Sequence, residues 1–196
     1  MAFVGRLREL AGGKPVGITL CVGRRTDVLG ICKAMVHNAL VGVGLRDQVK
    51  IGAAGKVAVG SDIVKRLIQG ADYTNAARAM MMATGCIQSQ RCHTNLCPVG
   101  VATQDPRRAR ALDVPDKSRR VQRYQEATVA QAVQLMASMG CATPAELAPH
   151  QLMRRIGYTD TFSYAELFDW LEPGELLAGA PKGWAADWKA ADPDRW

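Results

Sequence analysis

The sequence predicts an α/β fold, and three observations carry that expectation. Short runs rich in β-branched residues alternate with helix-periodic stretches through the first half, glycine-bearing loops sit between them, and past residue 106 the strand signals give way to helical ones. Strand, loop and helix in repetition is the rhythm of a parallel sheet with crossover helices. A closed eight-stranded barrel takes about 250 residues. A chain of 196 residues supplies part of one at most.

The elements follow in order. Lys14 and Pro15 open VGITLCV, residues 16–22, an apolar run of strand length. Residues 28–40 place Leu29, Ile31, Cys32, Met35, Val36 and Leu40 at helical spacing. QVKIGA, residues 48–53, is a second strand, and the loop after it leads to a helix with Ser61 as N-cap and Gly70 just past its end. ADYTNA, residues 71–76, is a third strand, followed by a helix over ARAMMMATG with Met80, Met81 and Met82 in its core. Residues 116–140 read as one long amphipathic helix offering Val121, Tyr124, Ala127, Val129, Val133, Leu135 and Met136 for burial. TPAELAPHQLMRRIG reads as two short helical turns, the first with a Thr143 and Glu146 capping box and Pro144 at its first position. SYAELFDWLEPGELL is one more short helix, and residues 179–196 form a loosely ordered tail.

Apolar residues make up 48% and charged residues 22% of the chain, a globular composition. No apolar run approaches the roughly 20 residues that span a bilayer. The N-terminal MAFVGRLRELAGG interleaves basic with apolar residues and has no secretion-signal pattern, so a cytoplasmic chain is expected. In that compartment six cysteines do not imply lasting disulfides.

Three of the six lie in CIQSQRCHTNLCPVG as Cys86, Cys92 and Cys97. Structural zinc sites use four ligands, often in close pairs; here the gaps are five and four residues, no second pair follows, and His93 adjoins Cys92 too closely to share one ion with it. Three thiolates on one loop, with Pro98 stiffening its exit, suit an iron–sulfur cluster. Burial as small apolar side chains is the alternative, and it is the reading given to Cys21, Cys32 and Cys141.

The net charge is +7, and Arg107, Arg108, Arg110, Lys117, Arg119, Arg120 and Arg123 crowd one segment. A solvated face accounts for such a run; docking of an acidic electron donor or a neighbouring subunit is the second reading. The segment lacks the interleaved aromatics and helix-turn-helix signature of a nucleic-acid binder.

GCIQSQRCHTNLCPVGVATQDP closely resembles the cluster-binding segment of glutamate synthases, in particular the stand-alone FMN-binding glutamate synthase family. The similarity extends through LRELAGGKPVGITLCVGRR, HNALVGVGLRDQVKIGAAGK, GADYTNAARAM, RALDVPDKSRRV and LMRRIG. It implies a partial (β/α)8 TIM barrel over residues 1–106, carrying its C-terminal βα units and the cluster-binding loop. A helical extension over residues 107–178 and the tail over 179–196 complete the expected division. It also implies two cofactors, FMN and a 3Fe-4S cluster held by Cys86, Cys92 and Cys97. The implied reaction passes electrons from a donor protein through the cluster to the flavin, which reduces 2-iminoglutarate, formed from 2-oxoglutarate and ammonia, to L-glutamate. Barrel flavoenzymes hold the cofactor phosphate on loops at the carboxyl ends of late strands. The matching positions are Gly55, Lys56 and Gly60 in one loop and Asn75, Ala77 and Arg78 in the next turn.

Two departures from the family pattern accompany the match. Thr19 stands where the family carries a lysine able to stabilise reduced flavin. Between ICKAM and VHNAL the family has a long stretch with a glycine-rich motif, whereas here the two flanks are fused. The family's earlier barrel strands and its amidotransferase domain have no counterpart in the sequence, so no glutamine hydrolysis is expected. These features lead to the expectation of a truncated copy with impaired turnover, a chain completed by another subunit, or a non-catalytic fragment that carries a cluster or binds a partner.

Overall fold

The computed structural model describes residues 2–17, 19 and 28–191. The helices and strands run in the order α1 (Ala2–Leu10), α2 (Val28–Gly42), β1 (Gly52–Ala54), α3 (Gly60–Ile68), β2 (Tyr73–Asn75), α4 (Ala77–Ala83), α5 (Pro106–Ala109), α6 (Val114–Ser138), β3 (Met153–Arg155), β4 (Thr161–Ser163), α7 (Tyr164–Leu167), α8 (Glu175–Ala178) and α9 (Ala185–Ala190). The expected mixed α/β character holds: the described residues form helices and two small two-stranded sheets. The strand expected at residues 16–22 falls largely outside the described residues, as do Cys21 and Trp196.

The chain forms two compact units, Met1–Arg46 with Asp169–Trp196, and Asp47–Phe168. In the first, α2 is one uninterrupted helix across the junction of ICKAM with VHNAL. Asn38 on it is fully buried, its amide donating to the Asp169 carbonyl at 3.1 Å and accepting from the Leu171 amide at 2.7 Å. Gly42 faces the side chains of Leu171 and Leu176, and a Cβ there would come within 2.7 Å of both.

The second unit holds a βαβ motif. β1 and β2 pair in parallel, Ala54 opposite Asn75, with α3 as the connection between them. α3 packs on α6, and Val64, Ile68, Ala132, Met136 and Cys141 form the core between them. Burying each aliphatic side chain of this kind contributes about 1.5–3 kcal/mol.

Several expectations need correction. The strand placed at residues 48–53 begins only at Gly52, after a 3-10 turn over Arg46–Gln48. Asp72 holds the residue before it: its carboxylate accepts the Ile51 amide at 2.7 Å and its own amide donates to the Ile51 carbonyl at 2.8 Å, so the ladder begins at Gly52. Val59, not Ser61, is the N-cap of α3. The carboxylate of Asp62, the third helical residue, reaches back to the Ala58 and Val59 amides at 3.1 and 3.2 Å and so fixes the start of the helix from inside it.

The buried face of α6 is Thr128, Ala132 and Met136, while Val129 and Val133 are exposed and Ala127 lies on the surface. The seven residues expected inside encircle the helix, and only one stripe can face α3. Met80 and Met81 are half-buried and Met82 is exposed, so they are not a core. The two turns at 143–151 are present as 3-10 helices, Pro144–Glu146 and Pro149–Gln151. Past them, Met153–Arg155, expected to belong to the helical turns, instead pair with Thr161–Ser163 as the antiparallel hairpin of β3 with β4. The single helix expected over SYAELFDWLEPGELL is two, α7 and α8: the chain leaves the helix at Phe168 (φ −122) and the left-handed Asp169 (φ 42), and Pro173 with Gly174 (φ 80) leads into α8. The expected loose tail carries α9.

Candidate functional site

Two neighbourhoods of the second unit collect the residues singled out by sequence. The first is the carboxyl edge of the β1–β2 pair. Because Ala54 and Asn75 are register partners, the loop after β1 and the turn after β2 leave the sheet side by side, the edge at which parallel α/β sheets bind ligands. Gly55 has φ 96 and a Cβ built on it would meet nothing within 4 Å. Lys56 follows at φ 52, and Gly55, Lys56, Asn75, Ala77 and Arg78 are all exposed.

Gly60 is different. It is buried, and a Cβ there would lie 2.4 Å from the Ala132 nitrogen, so its small size is what lets α3 close on α6. Its amide donates to the Gln131 side chain at 3.3 Å, and the two amides before it are taken by Asp62. The start of α3 therefore already has an anion of its own. A cofactor phosphate at this edge is left the exposed cations Lys56 and Arg78 and the open backbone at Gly55. Arg66 braces the loop from below, donating through Nη2 to the Gly55 carbonyl at 3.4 Å and through Nη1 to Gln69 at 2.9 Å. The Tyr124 hydroxyl adds a bond to the Ala58 carbonyl at 2.5 Å.

The second neighbourhood is the cysteine segment. Cys86 is half-buried and its sulfur accepts the Gln88 amide at 3.4 Å. Cys92 is exposed at the start of a 3-10 turn, Cys92–Thr94. Cys97 is buried, and hydrogen bonds from the backbone amides of Ala102 and Val99, then Val101 and Gly100, lower its thiol pKa against the opposing effect of burial. Such a cradle favours a thiolate, the form that binds metal. The donors thus suit a cluster in kind. Their arrangement does not: among the described residues no three His, Cys, Asp or Glu side chains come together to hold a metal ion.

The backbone of this segment is held away from its preferred conformations. Gln88, Gln90 and Asn95 have φ of 57°, 56° and 63° without being glycine, and such residues each store on the order of 1 kcal/mol or more. Asn95 compensates through its side chain, whose Oδ1 accepts from the Gln104 amide at 2.5 Å and the Thr103 hydroxyl at 3.0 Å. Periodicity and motif spacing do not single out Asn95, Asp62 or Gln131. An asparagine between two cysteines, a residue type that tolerates the left-handed region, was the available signal for the first.

The sequence model of a family described as "Conserved region in glutamate synthase" matches residues 3–142. The chain is 40% identical over 121 residues to the glutamate synthase large subunit-like protein YerD of Bacillus subtilis, covering 62% of this chain and 23% of that protein. It is 48% identical over 82 residues to the ferredoxin-dependent glutamate synthase of Pyropia yezoensis, covering 41% of this chain and 5% of that one. To the glutamate synthase (NADPH) large chain of Bacillus subtilis it is 33% identical over 139 residues, covering 70% and 8%. The chain therefore spans less than a quarter of the length of these relatives.

Proposed function

This chain belongs to the glutamate synthase family, and from that premise we propose that it acts in a glutamate synthase-type oxidoreductase that converts 2-oxoglutarate and ammonia to L-glutamate. The observation that carries the proposal is the family match itself, which runs through both neighbourhoods, the carboxyl edge of β1–β2 and the cysteine segment. In this reading the β1–α3 and β2–α4 units are the late βα units of a (β/α)8 barrel. Lys56 and Arg78 neutralise the phosphate of FMN, Gly55 leaves the room for it to approach, and Asn75 and Ala77 line the turn. Gly60 serves the site by letting α3 seat against α6. Cys86, Cys92 and Cys97 are the proposed ligands of a 3Fe-4S cluster, a group that supplies one-electron transfer when bound. The three thiols are not gathered in this structure.

The match to ferredoxin-dependent relatives supports an electron-donor protein as partner. A complementing chain or an oligomer, proposed as a further partner, would supply the rest of a barrel. Cytoplasmic residence remains part of the proposal; among the described residues no helix is long and apolar enough to cross a membrane.

A second reading is that the chain holds a cofactor or a partner without turning substrate over. The unbroken α2 across the fused flanks and the exposed Thr19 at the expected lysine position favour it. Glutamate formation from 2-oxoglutarate and ammonia under anaerobic conditions, with a reduced donor and the chain loaded with iron, sulfide and FMN, separates the two. Turnover that requires the chain supports the first reading. Iron and flavin binding without glutamate supports the second, and neither binding nor turnover defeats both.

A further inference from the structure

We propose that the arginine-rich face formed by α5 and the first half of α6 is a docking surface for an acidic protein, the electron-donating partner of the function proposed above. Only the partner's identity rests on that function; the surface rests on its own charge and placement.

Between residues 105 and 123 seven cations face three carboxylates, and all three carboxylates are engaged within the segment. Asp105 caps α5 at the Arg107 amide, 2.9 Å, and lies 3.6 Å from Arg108. Asp113 caps α6 at the Asp116 amide, 3.0 Å, and Asp116 pairs with Lys117 at 3.2 Å. Arg107, Arg110, Arg119, Arg120 and Arg123 are exposed, and no carboxylate among the described residues lies within ion-pair distance of them.

Part of this placement works against the helix. Lys117, in the first turn of α6, lies at the positive end of the helix dipole. Arg119 and Arg123 are four residues apart, Lys117 and Arg120 three apart, and like charges at those spacings cost stability. A face that concentrates unneutralised charge where the helix resists it is matched by a surface of opposite sign that offsets the cost on binding.

Its position fits an electron donor. A Cβ built on Gly85, the residue before Cys86, would lie 3.6 Å from Lys117 Nζ and 3.8 Å from Arg120 Nη1, so the basic face abuts the start of the cysteine segment. Single-stranded nucleic acid is the poorer occupant, since such grooves pair cations with stacking aromatics. The first aromatic after Cys86 is Tyr124, whose hydroxyl is bonded to the Ala58 carbonyl.

The test uses the full chain, purified anaerobically, and a small acidic plant-type ferredoxin immobilised as the probe. Binding is expected to weaken about tenfold or more between roughly 50 and 300 mM salt. The triple variant R119E/R120E/R123E is expected to lose about tenfold or more at low salt, with unchanged circular dichroism, while Lys65→Glu, at an exposed position of α3, changes it less than about twofold. Equal binding by wild type and the triple variant overturns the proposal, as does an arginine-dependent preference for duplex DNA over ferredoxin at the same salt. Arginine-dependent ferredoxin binding by a chain that holds no iron or flavin supports the surface and defeats the function. Cofactor binding with arginine-independent ferredoxin binding does the reverse.

Discussion

The Thr103 hydroxyl lies 2.8 Å from the Asn95 carbonyl and 3.0 Å from its side-chain oxygen, so one contact closes the cysteine segment across eight residues. Asn95 also accepts the Gln104 amide and sits at φ 63, where few side chains are tolerated. Replacing it with alanine removes the acceptor and keeps the strain. Asn95→Ala is expected to cost about 2 kcal/mol in urea unfolding and to speed maleimide labelling of buried Cys97 relative to exposed Cys92. Unchanged labelling of Cys97 would mean that the clasp does not hold the loop.

Gly60 is a packing residue whose replacement tests the contact between α3 and α6 directly. Gly60→Ala places a methyl group 2.4 Å from the backbone nitrogen of Ala132, where no flexible side chain can move aside. The expected cost is about 1–3 kcal/mol, read from denaturant midpoints at constant slope. The exposed Gly55 sits at φ 96 with open space around it; Gly55→Ala should show conformational strain of about 1 kcal/mol without the clash.

Asn38 makes the corresponding test of the first unit. Its fully buried side-chain oxygen is the acceptor of the buried Leu171 amide, whereas the Asp169 carbonyl also accepts from Trp184 Nε1 at 3.1 Å. Asn38→Leu leaves the Leu171 amide unpaired, and a loss of about 1–3 kcal/mol is expected by chemical denaturation. A loss under about 0.5 kcal/mol, the range of ordinary surface changes, would contradict the packing described.

Glu166 ties β4 to α7. Its carboxylate accepts from the Ser163 hydroxyl and the Ser163 amide, both at 2.7 Å, and these bonds lower its pKa, the hydroxyl first and the backbone amide second. Glu146 is lowered too, by the Ala142 amide first and the Thr143 hydroxyl second. A carboxyl group with a depressed folded-state pKa stabilises the fold fully above its unfolded value and loses that contribution as the pH falls through the folded one. Stability should therefore decline below pH 4.5, the ordinary value for both groups. Glu166→Gln should flatten part of that acid limb in thermal melts, and an unchanged limb would remove Glu166 from the account.

Local chemistry made some of this legible from sequence. The helices α2 and α6 were readable because their periodicity runs for several turns, and Gly140 at φ 78 marks the end of α6 through its own conformational freedom. The βαβ order was readable from short apolar runs between glycine loops. The buried stripe of α6 was not, because its partner α3 selects Thr128, Ala132 and Met136 over the larger Val129 and Val133. Asp62 displaced Ser61 as the cap-forming side chain because a carboxylate inside the first turn reaches two amides at once. The β3–β4 hairpin has three-residue strands, too short for alternation to register. The spacing of Cys86, Cys92 and Cys97 picked out the segment, but which thiol is buried depends on amides from residues 99–102 that only the folded loop brings to Cys97.

The most direct measurement is the iron, acid-labile sulfide and flavin content of the chain after anaerobic reconstitution, alongside Cys86→Ser, Cys92→Ser and Cys97→Ser. The proposed function predicts iron and sulfide bound together with a spin signal in the oxidised state, lost in each cysteine variant, and flavin retention weakened by removing Lys56 or Arg78. A chain that takes up neither iron nor flavin, or one whose metal is zinc and is indifferent to all three cysteines, would contradict it.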